Sequence, residues 1–179
     1  VSQMLPSGSP DSGFSSDGVN SIDISDQSLD DQYNATIVQP DNKVVAVGSR
    51  NNGTDLDILV TRFNDDGSLD TSFGDSGHKV IDISGLDDEA SAVAQDSNGD
   101  LLIAGYGSAA TSEDGVLIRL ENNGNFDFAF GYKGIVTFDD LNANERITGM
   151  ALQSDDKIVL GGYTETSGER DYLILRYTP

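Results

Sequence analysis

Apolar positions along this chain come in short runs separated by clusters of Gly, Asn, Asp and Ser, and no stretch of helical length carries a 3.6-residue apolar period. The runs predict strands and the clusters predict turns. The first set of strands is Tyr33–Gln39, Lys43–Ser49, Asp57–Phe63 and Lys79–Ser84. The second is Ala90–Gln95, Leu101–Tyr106, Val116–Leu120 and Ile135–Asp139. The third is Ile147–Gln153, Lys157–Tyr163 and Tyr172–Tyr177. Their middle strands, KVVAVG, DLLIAG and KIVLGG, are apolar on both faces. A strand buried on both sides needs a layer above and a layer below it.

The three sets are copies of one unit. A shift of 57 residues superposes Asp57, Asp114 and Asp171, then Arg62, Arg119 and Arg176, then Gly48, Gly105 and Gly162. Gly67, Asp70, Phe73, Gly74 and Gly77 fall on Gly124, Asp127, Phe130, Gly131 and Gly134. A shift of 59 residues brings Gly8, Asp11, Phe14, Gly18, Ile22 and Asp23 onto Gly67, Asp70, Phe73, Gly77, Ile81 and Asp82.

Units of four antiparallel strands, each sheet packed between two neighbours, describe β-propeller blades. The expectation is therefore an all-β chain, residues 1–179 forming a single repeat domain. Its repeats span about 26–84, 85–140 and 141–179, with 8–25 as a completing segment. The last repeat stops after its third strand, while Val19–Ser25 reads as an orphan fourth strand. Three blades per chain follow if the N-terminal strand completes the last blade. Propellers close with roughly four to eight blades, so two chains joined head-to-tail into a six-bladed dimer, a longer array, or a three-sheet prism would satisfy the pattern.

The segment FNDDGSLDTSFGDSGHKV, with the QPDNKVVAVG and LVTRF patterns, resembles the bacterial delta-60 repeat. The resemblance covers nearly the whole chain in three copies. It implies a β-propeller and a place in large secreted or surface-attached bacterial proteins, and carries no assigned activity. Two departures stand out: Phe128 and Ala129 replace Thr71 and Ser72, and Ser15 stands where Gly74 and Gly131 do.

Charge narrows the partners. With 31 acidic against 10 basic residues the formal net charge is −21, a field that repels phosphate backbones and excludes nucleic acid, while attracting cations and basic proteins. Cysteine is absent, which removes disulfides and thiol chemistry. No run of 18 apolar residues predicts membrane insertion. The N-terminus lacks the regions of a signal peptide and reads as the start of a mature or excised segment.

Among polar residues the recurring Arg is the most specific feature. An Arg near the end of an apolar strand requires a partner, and an Asp follows eight residues on: Asp70 for Arg62 and Asp127 for Arg119. A bidentate pair would pin the turn as a structural clamp. Arg176 has no such Asp after it, and Asp11 occupies the equivalent place, so an Asp11–Arg176 pair within or between chains is expected. Asp57, Asp114 and Asp171 open the third strands and would form an acidic ring for a hard cation if their loops converge. Turn stabilisation is the commoner use of such residues. The loop Asn64–Asp70 lacks the spacing and the Glu of an EF-hand and reads as a turn.

Phe14, Phe73 and Phe130 read as core plugs, and Gly48, Gly105 and Gly162 as close approaches or bulges. Tyr106 and Tyr163 would stack on a sugar if exposed. His78 is the one histidine and has no recurring Ser or Cys partner, so neither a triad nor a His-rich metal site is expected. The sequence supports a non-catalytic structural or binding module, not an enzyme, outside the cell or on its surface. Glycan, protein and divalent cation are its candidate ligands. No cofactor is expected, calcium being the one metal considered. The alternatives are a lactonase-like hydrolase with a metal–carboxylate channel site, and a pure spacer.

Overall fold

A computed structural model describes residues 4–22, 24, 29–109, 112–139 and 143–178. Among them are three antiparallel sheets and no helix. The first sheet runs β1 (Asp31–Val38), β2 (Val44–Asn51), β3 (Leu56–Phe63) and β4 (His78–Ile81) in spatial order. The second repeats it with β5 (Asp88–Gln95), β6 (Leu101–Ser108), β7 (Glu113–Leu120) and β8 (Ile135–Phe138). The third holds β9 (Asn144–Leu152), β10 (Ile158–Thr166) and β11 (Glu169–Tyr177). Each strand predicted between Tyr33 and Tyr177 is present, with ends moved by a few residues.

The sheets are stacked blades. Val45, Val47, Ile58 and Val60 of the first face Leu101, Ile103, Val116 and Ile118 of the second in one buried cluster. The other side of the second sheet presents Leu102, Ala104 and Leu117 to Ile147, Ile158 and Leu160 of the third. This explains the two-faced apolar strands: alternate residues of one strand serve two different interfaces.

Each innermost strand carries a bulge at the same place, between Tyr33 and Ala35 in β1 and between Ala90 and Ala92 in β5. The residue skipped by the ladder reaches into the next blade, Asn34 Nδ2 bonding the Ala90 carbonyl at 2.9 Å and Ser91 Oγ the Ile147 carbonyl. The recurring glycine sits against this bulge. A Cβ on Gly48, Gly105 or Gly162 would lie 2.0, 1.9 or 2.0 Å from the carbonyl oxygen of Gln32, Glu89 or Arg146.

Within the chain, the N-terminal segment does not complete the third blade. No described residue of Val19–Ser25 joins the third sheet, which has three strands, and Asp23 and Ser25 lie outside the described residues. The segment packs on the first blade instead. Phe14 is 1% exposed against Gly67, Ser15 N donates to the Asp66 carbonyl at 2.8 Å, and Asn20 Nδ2 bonds the Gly67 carbonyl. The link of the first blade docks on the second in the same manner, Gly74 N donating to the Asn123 carbonyl at 2.8 Å with Phe73 against Gly124. The Met4–Pro10 bridge repeats the Phe63–Leu69 and Leu120–Phe126 bridges. Met4 thus takes the place that Tyr177 holds in the third repeat.

Candidate functional site

The recurring Arg and Asp meet in both complete blades. Arg62 Nε donates to Asp70 Oδ2 at 2.7 Å, with both side chains nearly buried, and the guanidinium lies 4.7 Å above the Phe73 ring. Arg119 Nε donates to Asp127 Oδ2 at 2.6 Å and covers Phe130 at 4.6 Å. Strand geometry accounts for the pairing. The Asp70 N–H returns to the Arg62 carbonyl at 2.9 Å, so the link folds back onto the end of its own strand. Burial works against charge on Asp70. Hydrogen bonds from Ser72 and Lys43, together with the Arg62 guanidinium, still hold its carboxyl well below the usual carboxylate range. At Asp127 a backbone bond from Ala129 is the leading cause of a lowered value, with Arg119 adding to it.

Sequence spacing did not reveal the second half of this arrangement. Arg62 Nη1 donates to the Asn122 carbonyl of the next blade at 2.6 Å. Arg62, Lys43, Asp100, Glu121, Asn122 and Asp127 line an open cavity of about 810 Å³ between the two links. The expected Asp11–Arg176 pair does not form within the chain. Asp11 Oδ1 accepts from Gly13 N at 2.9 Å beside the first blade, whereas Arg176 stands on β11 and has no ion pair among the described residues.

The carboxylates that open the third strands do not gather into one ring among the described residues. A different trio comes together where the second and third blades meet. Asp114 of β7, Asp139 after β8 and Glu145 of β9 place carboxylate oxygens within 4.8 Å of one another. The 57-residue shift puts Asp57, Asp82 and Asp88 in the corresponding positions. Asp88 is fully buried and accepts from Ile83 N at 2.7 Å and Ser108 N at 3.2 Å. Burial pushes its carboxyl up to about 6 despite these bonds, with Asp82 and Asp57 adding to the rise. Asp57 is paired with Arg50 at 3.5 Å. The signal was present as Asp–Asp–Asp and Asp–Asp–Glu at one period, but only the packing of the blades shows that Asp114, Asp139 and Glu145 converge.

Other candidates resolve into structure. Tyr106 is 8% exposed beneath the Arg146 guanidinium at 4.0 Å, and burial pushes its phenol up to about 12. Arg170 covers Tyr163 at 4.2 Å, so neither ring is an open sugar platform. His78 pairs with Thr61 in the β3–β4 ladder. In the link, Asp66 Oδ1 accepts from Ser68 N at 2.9 Å and Gly67 has φ +82°, the geometry of a turn.

Blade-to-blade stacking through a repeated Arg–Asp–Phe link defines a β-propeller repeat protein. A family model described as a domain of unknown function (DUF5122) beta-propeller matches residues 39–73, 97–130 and 153–179, together more than half of the chain. The chain belongs to this family. A search of curated proteins gives no match. No helix among the described residues is long and apolar enough to cross a membrane.

Proposed function

We propose that the chain is a non-catalytic structural or binding module of the delta-60 repeat kind, acting in a secreted or cell-surface bacterial protein. The observation that carries the reading is the use made of the recurring polar residues. Arg62, Asp70, Asn34 and Ser91 are spent on holding one blade to itself or to the next, and the repeats differ at exposed link positions such as Thr71 and Phe128. A module built this way presents variable surface on a fixed frame. Lactone and aryl-ester turnover, assayed with and without calcium, tests it. A hydrolysis rate that co-purifies with the protein and disappears in Asp139→Asn overturns the non-catalytic reading. Protease accessibility on intact source cells tests the location.

A further inference from the structure

Three Asn–Gly pairs stand in the connections between strands: Asn52–Gly53, Asn98–Gly99 and Asn123–Gly124. The pair is favoured there because a turn needs left-handed backbone, and the three glycines have φ of +94°, +92° and +87°. The same pair carries a reaction of its own. Glycine has no side chain to shield its backbone nitrogen, which lies within reach of the preceding carboxamide carbon and closes a five-membered imide with it.

The fold holds the three pairs differently. Asn52 Oδ1 accepts from Thr54 N and Asp55 N at 2.9 and 3.1 Å, its Nδ2 bonds Asp55 and Asp57, and Gly53 N is taken by Asn51 Oδ1 at 2.8 Å. Asn123 Oδ1 accepts from Asn125 N at 2.8 Å, and its Nδ2 bonds Glu121. Its carbonyl is docked on Gly74 N, and the buried Gly124 donates to the Glu121 carbonyl at 2.8 Å. Each of these carboxamides must break several hydrogen bonds before it rotates onto the glycine nitrogen.

Asn98 is free to rotate. Its carboxamide is exposed and makes no hydrogen bond among the described residues; only its backbone N–H is engaged, by Asp96 Oδ1 at 2.9 Å. Gly99 N donates to the Asp96 carbonyl at 3.1 Å, the longest of the three glycine bonds. A Cβ on Gly99 would meet only Gln95 Nε2, at 3.6 Å, so the space beside this turn is open. The turn joins β5 to β6 of the second blade, which has a blade packed on either side, so its exposure belongs to the fold.

We propose that Asn98 is a site of spontaneous modification, losing its carboxamide nitrogen as ammonia through an imide closed by Gly99 and ending as aspartate or isoaspartate. Hydroxide takes the proton from Gly99 N. The nitrogen then bonds to Asn98 Cγ, and the Cγ–Nδ2 bond breaks as Nδ2 leaves, protonated, as ammonia. Water adds to the imide and opens it: cleavage at Cγ gives aspartate, and cleavage at the backbone carbonyl carbon gives isoaspartate. Nothing is oxidised or reduced, and water is the one co-reactant. The product sits at a blade contact, because Ser97 N and Oγ hold Asp156 of the third blade. Isoaspartate lengthens by one methylene a turn that is closed by Asp96 N on the Asp100 carbonyl at 3.0 Å, and it adds a carboxylate between Asp96 and Asp100. The modified turn therefore grips the third blade less firmly.

The test is mass-spectrometric peptide mapping of the folded chain during incubation at mildly alkaline pH, beside the same incubation in denaturant. In the folded chain Asn98 is expected to convert at least about tenfold faster than Asn52 or Asn123, equivalent to about 1.4 kcal/mol of barrier. In denaturant the three rates should converge, since each is an Asn–Gly pair without its native hydrogen bonds. Asn98→Gln keeps the amide but requires a larger ring, and is expected to remove most of the ammonia released by the folded chain. Equal conversion at the three sites in the folded chain, or none at Asn98, overturns the proposal. Ammonia release that continues unchanged in Asn98→Gln overturns it as well. So does a lead for Asn98 that is just as large in denaturant, by assigning the rate to neighbouring sequence and not to the fold.

Discussion

Arg62 ties two blades together: its Nε holds Asp70 of its own link at 2.7 Å while its Nη1 holds the Asn122 carbonyl of the next link at 2.6 Å. Loss of this side chain leaves buried Asp70 with Lys43 and the Ser72 hydrogen bonds and strips the contact between links. Arg62→Ala is expected to destabilise by about 3 kcal/mol or more, seen as an earlier denaturant midpoint. Arg62→Lys should recover only part, because an ammonium cannot span both acceptors as a planar guanidinium does. Arg119→Ala should cost less, since its pair with Asp127 is more exposed.

Glycine at the bulge is predicted to be irreplaceable. Gly105→Ala would put a methyl 1.9 Å from the Glu89 carbonyl oxygen, an atom of backbone held in the sheet. Overpacking of this kind costs about 1–3 kcal/mol or more. Circular dichroism melting of Gly105→Ala beside Gly149→Ala, where a Cβ meets nothing within 4 Å, separates the close approach from a general loss of glycine.

Two aspartates should respond to pH in opposite directions. The Asp88 carboxyl, raised to about 6 in the fold, binds a proton more readily folded than unfolded. Stability at this site therefore rises as pH falls from 7 toward 5, and is lost as pH climbs through 6. The lowered Asp70 carboxyl gives stability that is present above about pH 4 and is lost as pH falls below it. Asp88→Asn should flatten the upper part of the stability–pH curve, and Asp70→Asn the acid limb. An unchanged slope between pH 5 and 7 in Asp88→Asn would contradict the assignment.

Like charges at Asp114, Asp139 and Glu145 repel when nothing sits between them. Asp139 is the exposed member, so Asp139→Asn is expected to stabilise the chain by up to about 1 kcal/mol in chelator. A melting series with calcium distinguishes plain repulsion from cation binding. Repulsion alone predicts no calcium-dependent shift in either protein, whereas a shift of several degrees that Asp139→Asn abolishes identifies a bound ion.

The sequence by itself determined the repeat, the strands and the Arg–Asp clamp. Each is written in local spacing: alternation within a strand, a glycine at each turn, eight residues between Arg62 and Asp70. Tertiary structure decided what crosses between blades. Asn122 supplies a backbone carbonyl to Arg62, which no residue type encodes, and Asn34 and Ser91 act through bulges visible only once strands are paired. Asp114 of β7, Asp139 just after β8 and Glu145 of β9 converge because β9 of one blade packs against β7 of the blade before it. The position of Asp11 was decided in the same way. Its repeat match correctly gave it the role of a link residue, but a match cannot say which blade the link lies against. Packing of Phe14 on Gly67 sets that, and it places Asp11 on the first blade, with Arg176 on the third.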